Sequence, residues 1–295
     1  MKTKRNIFIA FLLNLCFSIF EFFGGLFTGS VAIISDAVHD FGDAISIGTS
    51  FVLEKKSEQK PNKKYTYGYA RFSVLGGFIT TMILMISSFI VIYNAILRII
   101  NPTPLNYDGM IIFAVIGAIV NLVAAHFTHG GKSINQKAVN LHMLEDVLGW
   151  IVVLIGAIVI KFTNLYVIDP ILSITVALFI TVTSFKNLKR ILDVFLIKTP
   201  SEINIDEIIK HVESIDSVVG VHHVHVWSLD GENNCATLHV VVKEISAKIK
   251  AEIKHELEEH NVSHVTIEME TELEDCCDKL CEIKSNAHHC CHHHH

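Results

Sequence analysis

The stretch SDAVHDFGDAISIG, Ser35–Gly48, lies inside an apolar run and yet carries Asp36, His39, Asp40 and Asp43 within eight residues. An ionisable side chain at the centre of a membrane helix costs at least ~2.5 kcal/mol, so such residues persist where they pair or serve a pathway. His39 and Asp43 are four residues apart and therefore share one face of a helix. The same spacing recurs in NLHMLEDVLGW, Asn140–Trp150, with His142 and Asp146. Two helices thus offer two imidazoles and two carboxylates. If they pack face to face, the four groups converge on one tetrahedral site, the geometry that Zn²⁺ prefers. Polar glue between helices, or a proton relay without metal, would be served by fewer groups.

Working outward, runs of about 20 apolar residues are long enough to cross ~30 Å of hydrocarbon. Six such runs occur, at about 6–28, 31–53, 74–97, 109–128, 139–160 and 168–188, joined by short polar segments. Half of the 295 residues are hydrophobic and 18% are charged, with a net charge of −6 and a mean hydropathy of +0.44. Charges are sparse up to about residue 188 and dense from 198 onward, which separates a membrane part from a small second domain. The start MKTKR resembles the head of a signal peptide, but the apolar stretch after it is too long and lacks a small-residue cleavage site. It is expected to remain as a membrane helix. With the N-terminus inside, the inner segments hold fifteen Lys and Arg residues and the outer ones only Arg98 and Lys161. That asymmetry places both termini in the cytoplasm, with membrane lipid around the six spans. No basic stripe suggests nucleic acid, and no constellation points to an enzyme.

After KTP, Lys198–Pro200, the pattern changes. INIDEIIKHVESI has helical apolar spacing, VVGVHHVHVWSL and CATLHVVVK are strand-like, and DGENN between them is a hairpin signal. A second amphipathic helix, SAKIKAEIKHELEEH, precedes a third strand, HVTIEMET. The expected architecture is therefore an α-helical membrane protein: six transmembrane helices over 1–198, then a small α+β cytosolic domain over 199–271 with helices on one sheet face. The tail, 272–295, is rich in Cys and His. It holds Cys276, Cys277, Cys281, Cys290 and Cys291 among six histidines, which suit Zn²⁺, Cd²⁺ or Cu⁺ better than disulfides. A purification tag would explain the terminal histidines but not the interleaved cysteines.

Four elements resemble the cation diffusion facilitator family: SVAIISDAVHDFGDA, YTYGYARFSVLGG, NLHMLEDVLGW and VHHVHVWSL. The resemblance spans essentially residues 1–270. It implies proton-coupled export of divalent metal from the cytoplasm by alternating access, a homodimer, and a ferredoxin-like cytosolic domain able to bind further metal. It implies transport ligands at His39, Asp43, His142 and Asp146, the histidine at position 39 being similar to the zinc-selective branch. His222 and His239 resemble the family's cytosolic zinc ligands, and His225 lies close in sequence. Zn²⁺ is then both cargo and possible regulator, handled with protons at a plasma membrane; Cd²⁺, Co²⁺ and Fe²⁺ are the alternative cargoes.

Some positions depart from the family. The usual glutamate two residues after Arg71 is Ser73, the loop after the second helix has no histidine, and Asp40 replaces a commonly apolar residue. Asp40 and Glu145 point ~100° away from the ligands beside them on a 3.6-residue helix, toward cavity-lining or supporting roles. Asp36 is placed to face the same cavity as His39. Asn14, Glu21 and Asn121 are expected either along the same aqueous path or as polar groups packing helices, and His126 and His129 as interface residues at the inner mouth of helix four. A membrane-anchored metal sensor remains a different reading, as does a channel without proton coupling. The sensor would need no charged residues inside two helices.

Overall fold

Six long helices form the N-terminal unit, and their length follows from the apolar runs. The computed structural model describes residues 2–28, 31–100, 107–163 and 168–272. The helices are α1 (Lys2–Thr28), α2 (Val31–Ser57), α3 (Arg71–Ile100), α4 (Tyr107–Thr128), α5 (Ile134–Thr163) and α6 (Ile168–Phe195). Several run past the expected spans, because polar ends such as INQK continue a helix that hydropathy alone does not see.

Among the described residues, four stretches meet the length and apolarity of a membrane span: Thr3–Gly24, Arg71–Leu97, Ile111–Thr128 and Ile134–Gly156. α2 is long enough but carries Asp36, Asp40 and Asp43 along its length, so its departure from the apolar pattern is charge, not length.

The unit is apolar outside and polar inside. Phe20, Phe23, Ile45, Phe89, Phe179 and Phe185 are exposed, whereas Asn14, Ser18, Glu21, Asp43, Ser50, Asn121, Asn135 and His142 are buried. A water-soluble domain does the opposite, and lipid is the solvent that makes this arrangement favourable. α1 lies against α2 and α4, α3 against α2 and α5, and α4 against α5. A core of Ile7, Ala10, Ile47, Ala124, Val139 and Met143 joins α1, α2, α4 and α5. Asn187 on α6 donates its amide to the Thr81 hydroxyl on α3 at 2.8 Å.

α6 stops through a bond from Lys198 N–H to Asp193 C=O at 2.9 Å and one from Ile197 N–H to Val194 C=O at 3.2 Å. This is the pairing of a Schellman cap, which usually places Gly at its left-handed position. Here Ile197 takes that conformation, at φ 59°.

The second compact unit runs from Asp193 onward. It has the expected order: α7 (Ile205–Glu213), β1 (Val218–Ser228), β2 (Asn234–Val242), α8 (Ala247–Glu259) and β3 (Val262–Thr271). Asn204 caps α7 and Ser246 caps α8, each side-chain oxygen accepting a backbone N–H two residues on; these are the residue types that satisfy a helix's first free donors. The hairpin closes where Asp230 Oδ1 accepts from the backbone of Glu232 and Asn233, with Gly231 at φ 88°.

The sheet has the order β1-β2-β3, antiparallel then parallel. Ala236, Leu238, Val240 and Val242 of β2 join Ile208 and Val212 of α7 and Ile253 and Leu257 of α8 in one core. Strand side chains alternate in direction, so the odd-numbered residues of β2 point to the other face of the sheet.

Candidate metal centre

Asp43 of α2 meets His142 and Asp146, four residues apart on α5, between these two helices. Asp43 and His142 are both buried, with His142 Nε2 3.5 Å from Asp43 Oδ1. Asp146, one turn along α5 and half-buried, joins them: each of the three offers a ligand atom, and these atoms lie within 4.8 Å of one another. Two ligands on one tetrahedral Zn²⁺, at about 2.0–2.1 Å each, stand ~3.3 Å apart. The His142–Asp43 separation is close to that. His39 lies one turn before Asp43 on α2, but its side chain is outside the described residues, as is that of Asp36.

Glu145 is nearer the centre than its position beside Asp146 suggests. Its Oε2 lies 4.0 Å from His142 Nδ1, and its Oε1 accepts a hydrogen bond from the Ser88 hydroxyl on α3 at 3.1 Å. Each ring nitrogen of His142 thus has a carboxylate nearby, Asp43 on the Nε2 side and Glu145 on the Nδ1 side. Among the described residues no hydrogen bond reaches either ring nitrogen of His142, so the buried ring is free to give Nε2 to a cation.

A second polar cluster joins α2, α3 and α5 and was not legible as a motif. Glu54 Oε2 accepts from Ser73 Oγ at 2.7 Å, Asn135 Nδ2 at 3.0 Å and Ser133 Oγ at 3.3 Å. Ser73 holds the position where the family usually has glutamate; here the carboxylate of the cluster comes from α2 and the serine donates to it. The helices approach closely because Gly76 has no side chain: a Cβ there would lie 2.8 Å from Asn135 Oδ1. Asn135 also donates to Ser50 C=O at 2.9 Å.

Asn14 and Glu21 on α1 and Asn121 on α4 are buried inside the unit, while His126 and His129 are exposed. Asp40 is half-buried on α2.

In the second unit, β1–β2 register sets His222 opposite His239, on the sheet face away from the helices. Their ring centroids are 5.3 Å apart. His223 joins them through a break in register between His222 and His225, where its φ is 50°. The ligand atoms of His222, His223 and His239 lie within 4.8 Å of one another. Glu270 of β3 reaches His222 Nε2 at 3.3 Å and also bonds His239 Nδ1, and Glu268 lies 3.4 Å from His239 Nε2.

His225 is not in this group; it is exposed and pairs with Thr237. His223 was missed because strict alternation points it to the opposite face, and only the bulge turns it back. The tail cysteines Cys276, Cys277, Cys281, Cys290 and Cys291 lie outside the described residues.

Both parts of the chain match known protein families. Residues 7–196 match the family described as the cation efflux transmembrane domain, and residues 200–272 the cation efflux protein cytoplasmic domain. A zinc transporter ZitB of Pectobacterium atrosepticum is 32% identical over 293 residues, covering 97% of this chain and 91% of that protein. The cadmium, cobalt and zinc/H(+)-K(+) antiporter of Bacillus subtilis is 32% identical over 301 residues, covering 99% of this chain and 97% of its own. The zinc transporter ZitB of Escherichia coli is 31% identical over 301 residues, covering 100% and 95%.

Proposed function

This chain belongs to the cation efflux family, and from that premise we propose that it expels Zn²⁺ from the cytoplasm in exchange for protons. The observation that carries the reading is the buried His142 Nε2, 3.5 Å from Asp43 Oδ1 across two helices. His39, Asp43, His142 and Asp146 are the ligands in this account. A ligating imidazole must be neutral and a ligating carboxylate ionised, so zinc and protons compete for the same atoms. Zinc enters from the cytoplasm as the ligands lose protons. Opening toward a more acidic exterior lets protons return and the metal leave. Binding site and coupling device are then one set of atoms.

In this reading the protein works as a homodimer in the plasma membrane with both termini cytoplasmic, an orientation that the cytoplasmic-domain match and the Lys/Arg asymmetry support. His222, His239 and Glu270 would hold regulatory zinc on the open sheet face. The tail cysteines would supply further soft ligands. The zinc transporter name of the Pectobacterium relative supports the cargo; the Bacillus subtilis name supports exchange, with H(+)-K(+), and keeps Cd²⁺ and Co²⁺ as alternative cargoes.

The test is zinc uptake into inside-out vesicles with and without an imposed pH gradient. Acid inside the vesicle should drive uptake, and collapsing the gradient should stop it. Uptake indifferent to the gradient would contradict exchange and favour a channel.

A further inference from the structure

Away from both clusters, three metal-ligating side chains meet where α7 and α8 end. His211 lies in the last turn of α7, Glu256 in the last turn of α8, and His260 caps α8 one turn further on. His211 Nδ1 is 3.0 Å from Glu256 Oε1 and 2.9 Å from His260 Nε2. His260 Nε2 is 3.6 Å from the same glutamate oxygen. We propose that His211, Glu256 and His260 form a further zinc site of the second unit, one that clamps α7 to α8. It lies on the helical side of the sheet, whereas His222 and His239 occupy the other face.

Three arguments lead there. The first is metric. Ligands of one tetrahedral Zn²⁺ stand ~3.3 Å apart, and the sides of this triangle fall on both sides of that value.

The second is donor arithmetic. A neutral imidazole has one N–H and one lone pair, so His211 Nδ1 has at most one hydrogen to divide between Glu256 Oε1 and His260 Nε2. A shared hydrogen makes two weakened bonds, whereas a cation accepts a lone pair from all three atoms.

The third is electrostatic. The cluster sits at the C-terminal ends of two helices, where partial negative charge favours a cation.

Two nitrogens and one carboxylate oxygen select zinc over the oxygen-preferring Mg²⁺ and Ca²⁺. The His211 side chain is half exposed, so water completes the fourth position. The site touches none of the membrane ligands and does not depend on transport.

The test is histidine modification by diethyl pyrocarbonate on the full-length protein in detergent, read by peptide mass spectrometry. Micromolar zinc should slow modification of His211 and His260 together, by about five-fold or more if both are coordinated. Magnesium at the same concentration should not. Glu256→Gln should remove the protection at His211 and His260 while zinc still protects His222 and His239. His211→Asn, an exposed change on a separate helix, should remove it at His260.

Equal rates at His211 and His260 with and without zinc would overturn the proposal. So would protection that survives both substitutions, or magnesium protecting as well as zinc.

Discussion

The helical unit and the sheet domain gather the same ligand types by different geometry. In the helices, His142 and Asp146 share a face through a four-residue spacing, and Asp43 meets them from α2. In the sheet, His222 and His239 meet through strand register, and His223 joins only because a bulge breaks the alternation. The surroundings differ as well: Asp43 and His142 are buried in a unit whose outside is apolar, whereas His222 and His239 remain partly exposed on an open face. A charge buried in the first setting is expensive to leave unpaired, so loss of one ligand there should be decisive. In the second, water is at hand to take a missing ligand's place.

The largest expected effect follows directly. Asp146→Ala should reduce zinc flux at least ~100-fold, because the remaining groups cannot close a tetrahedron around the ion. Zinc binding on the sheet face should persist. The paired measurement is flux in vesicles and zinc per protomer in detergent. Joint loss of both would break the separation between the two regions.

Next in size is Leu257→Ala. This side chain is fully buried in the core between α8 and the sheet, and truncating such a leucine costs about 2–5 kcal/mol. Limited proteolysis should then cut the second unit readily, while the helices of the first stay protected. Equal protection of both units in the variant would contradict the packing described here.

A smaller gain is expected at the end of α6. Ile197 holds a left-handed conformation at φ 59°, which costs a non-glycine residue about 1–2 kcal/mol. Ile197→Gly should therefore raise the unfolding midpoint slightly, as urea titration would show. A lowered midpoint would mean that the isoleucine packs there to greater effect.

The smallest effect concerns Glu58. Lys4 donates a hydrogen bond to it at 2.7 Å, and that bond holds the Glu58 carboxyl below the usual range, aided by the lysine charge and opposed by slight burial. A depressed folded-state pKa stabilises above the unfolded value, and the contribution disappears as pH falls through the folded one. Exposed pairs of this kind contribute about 1 kcal/mol or less and are screened by salt. Glu58→Gln should therefore give a small loss of stability at neutral pH and low salt, and none at acid pH. A loss of the same size at every pH would show that charge is not its cause.

The element order of both units was legible from hydropathy, helical spacing, strand alternation and the hairpin signal, because these are local properties of the chain. The His–Asp spacing on α2 and α5 was legible for the same reason. What sequence spacing did not reveal is held by tertiary geometry. Glu54 meets Ser73 and Asn135 only because Gly76 allows close approach. Glu270 reaches His222 across a strand, and His211 finds Glu256 and His260 on a helix more than forty residues later. No periodicity within one segment encodes a contact between two.

The central claim is that one ion is shared between α2 and α5, and a double-mutant cycle tests it most directly. Asp43→Asn, His142→Gln and the double variant would be compared for initial zinc uptake into inside-out vesicles at matched protein levels. If both residues hold the same ion, either change alone should abolish uptake, and the double variant should lose no more than the singles, since effects within one unit are not additive. Two partly active single variants whose losses multiply in the double variant would show independent sites, and would contradict a shared metal.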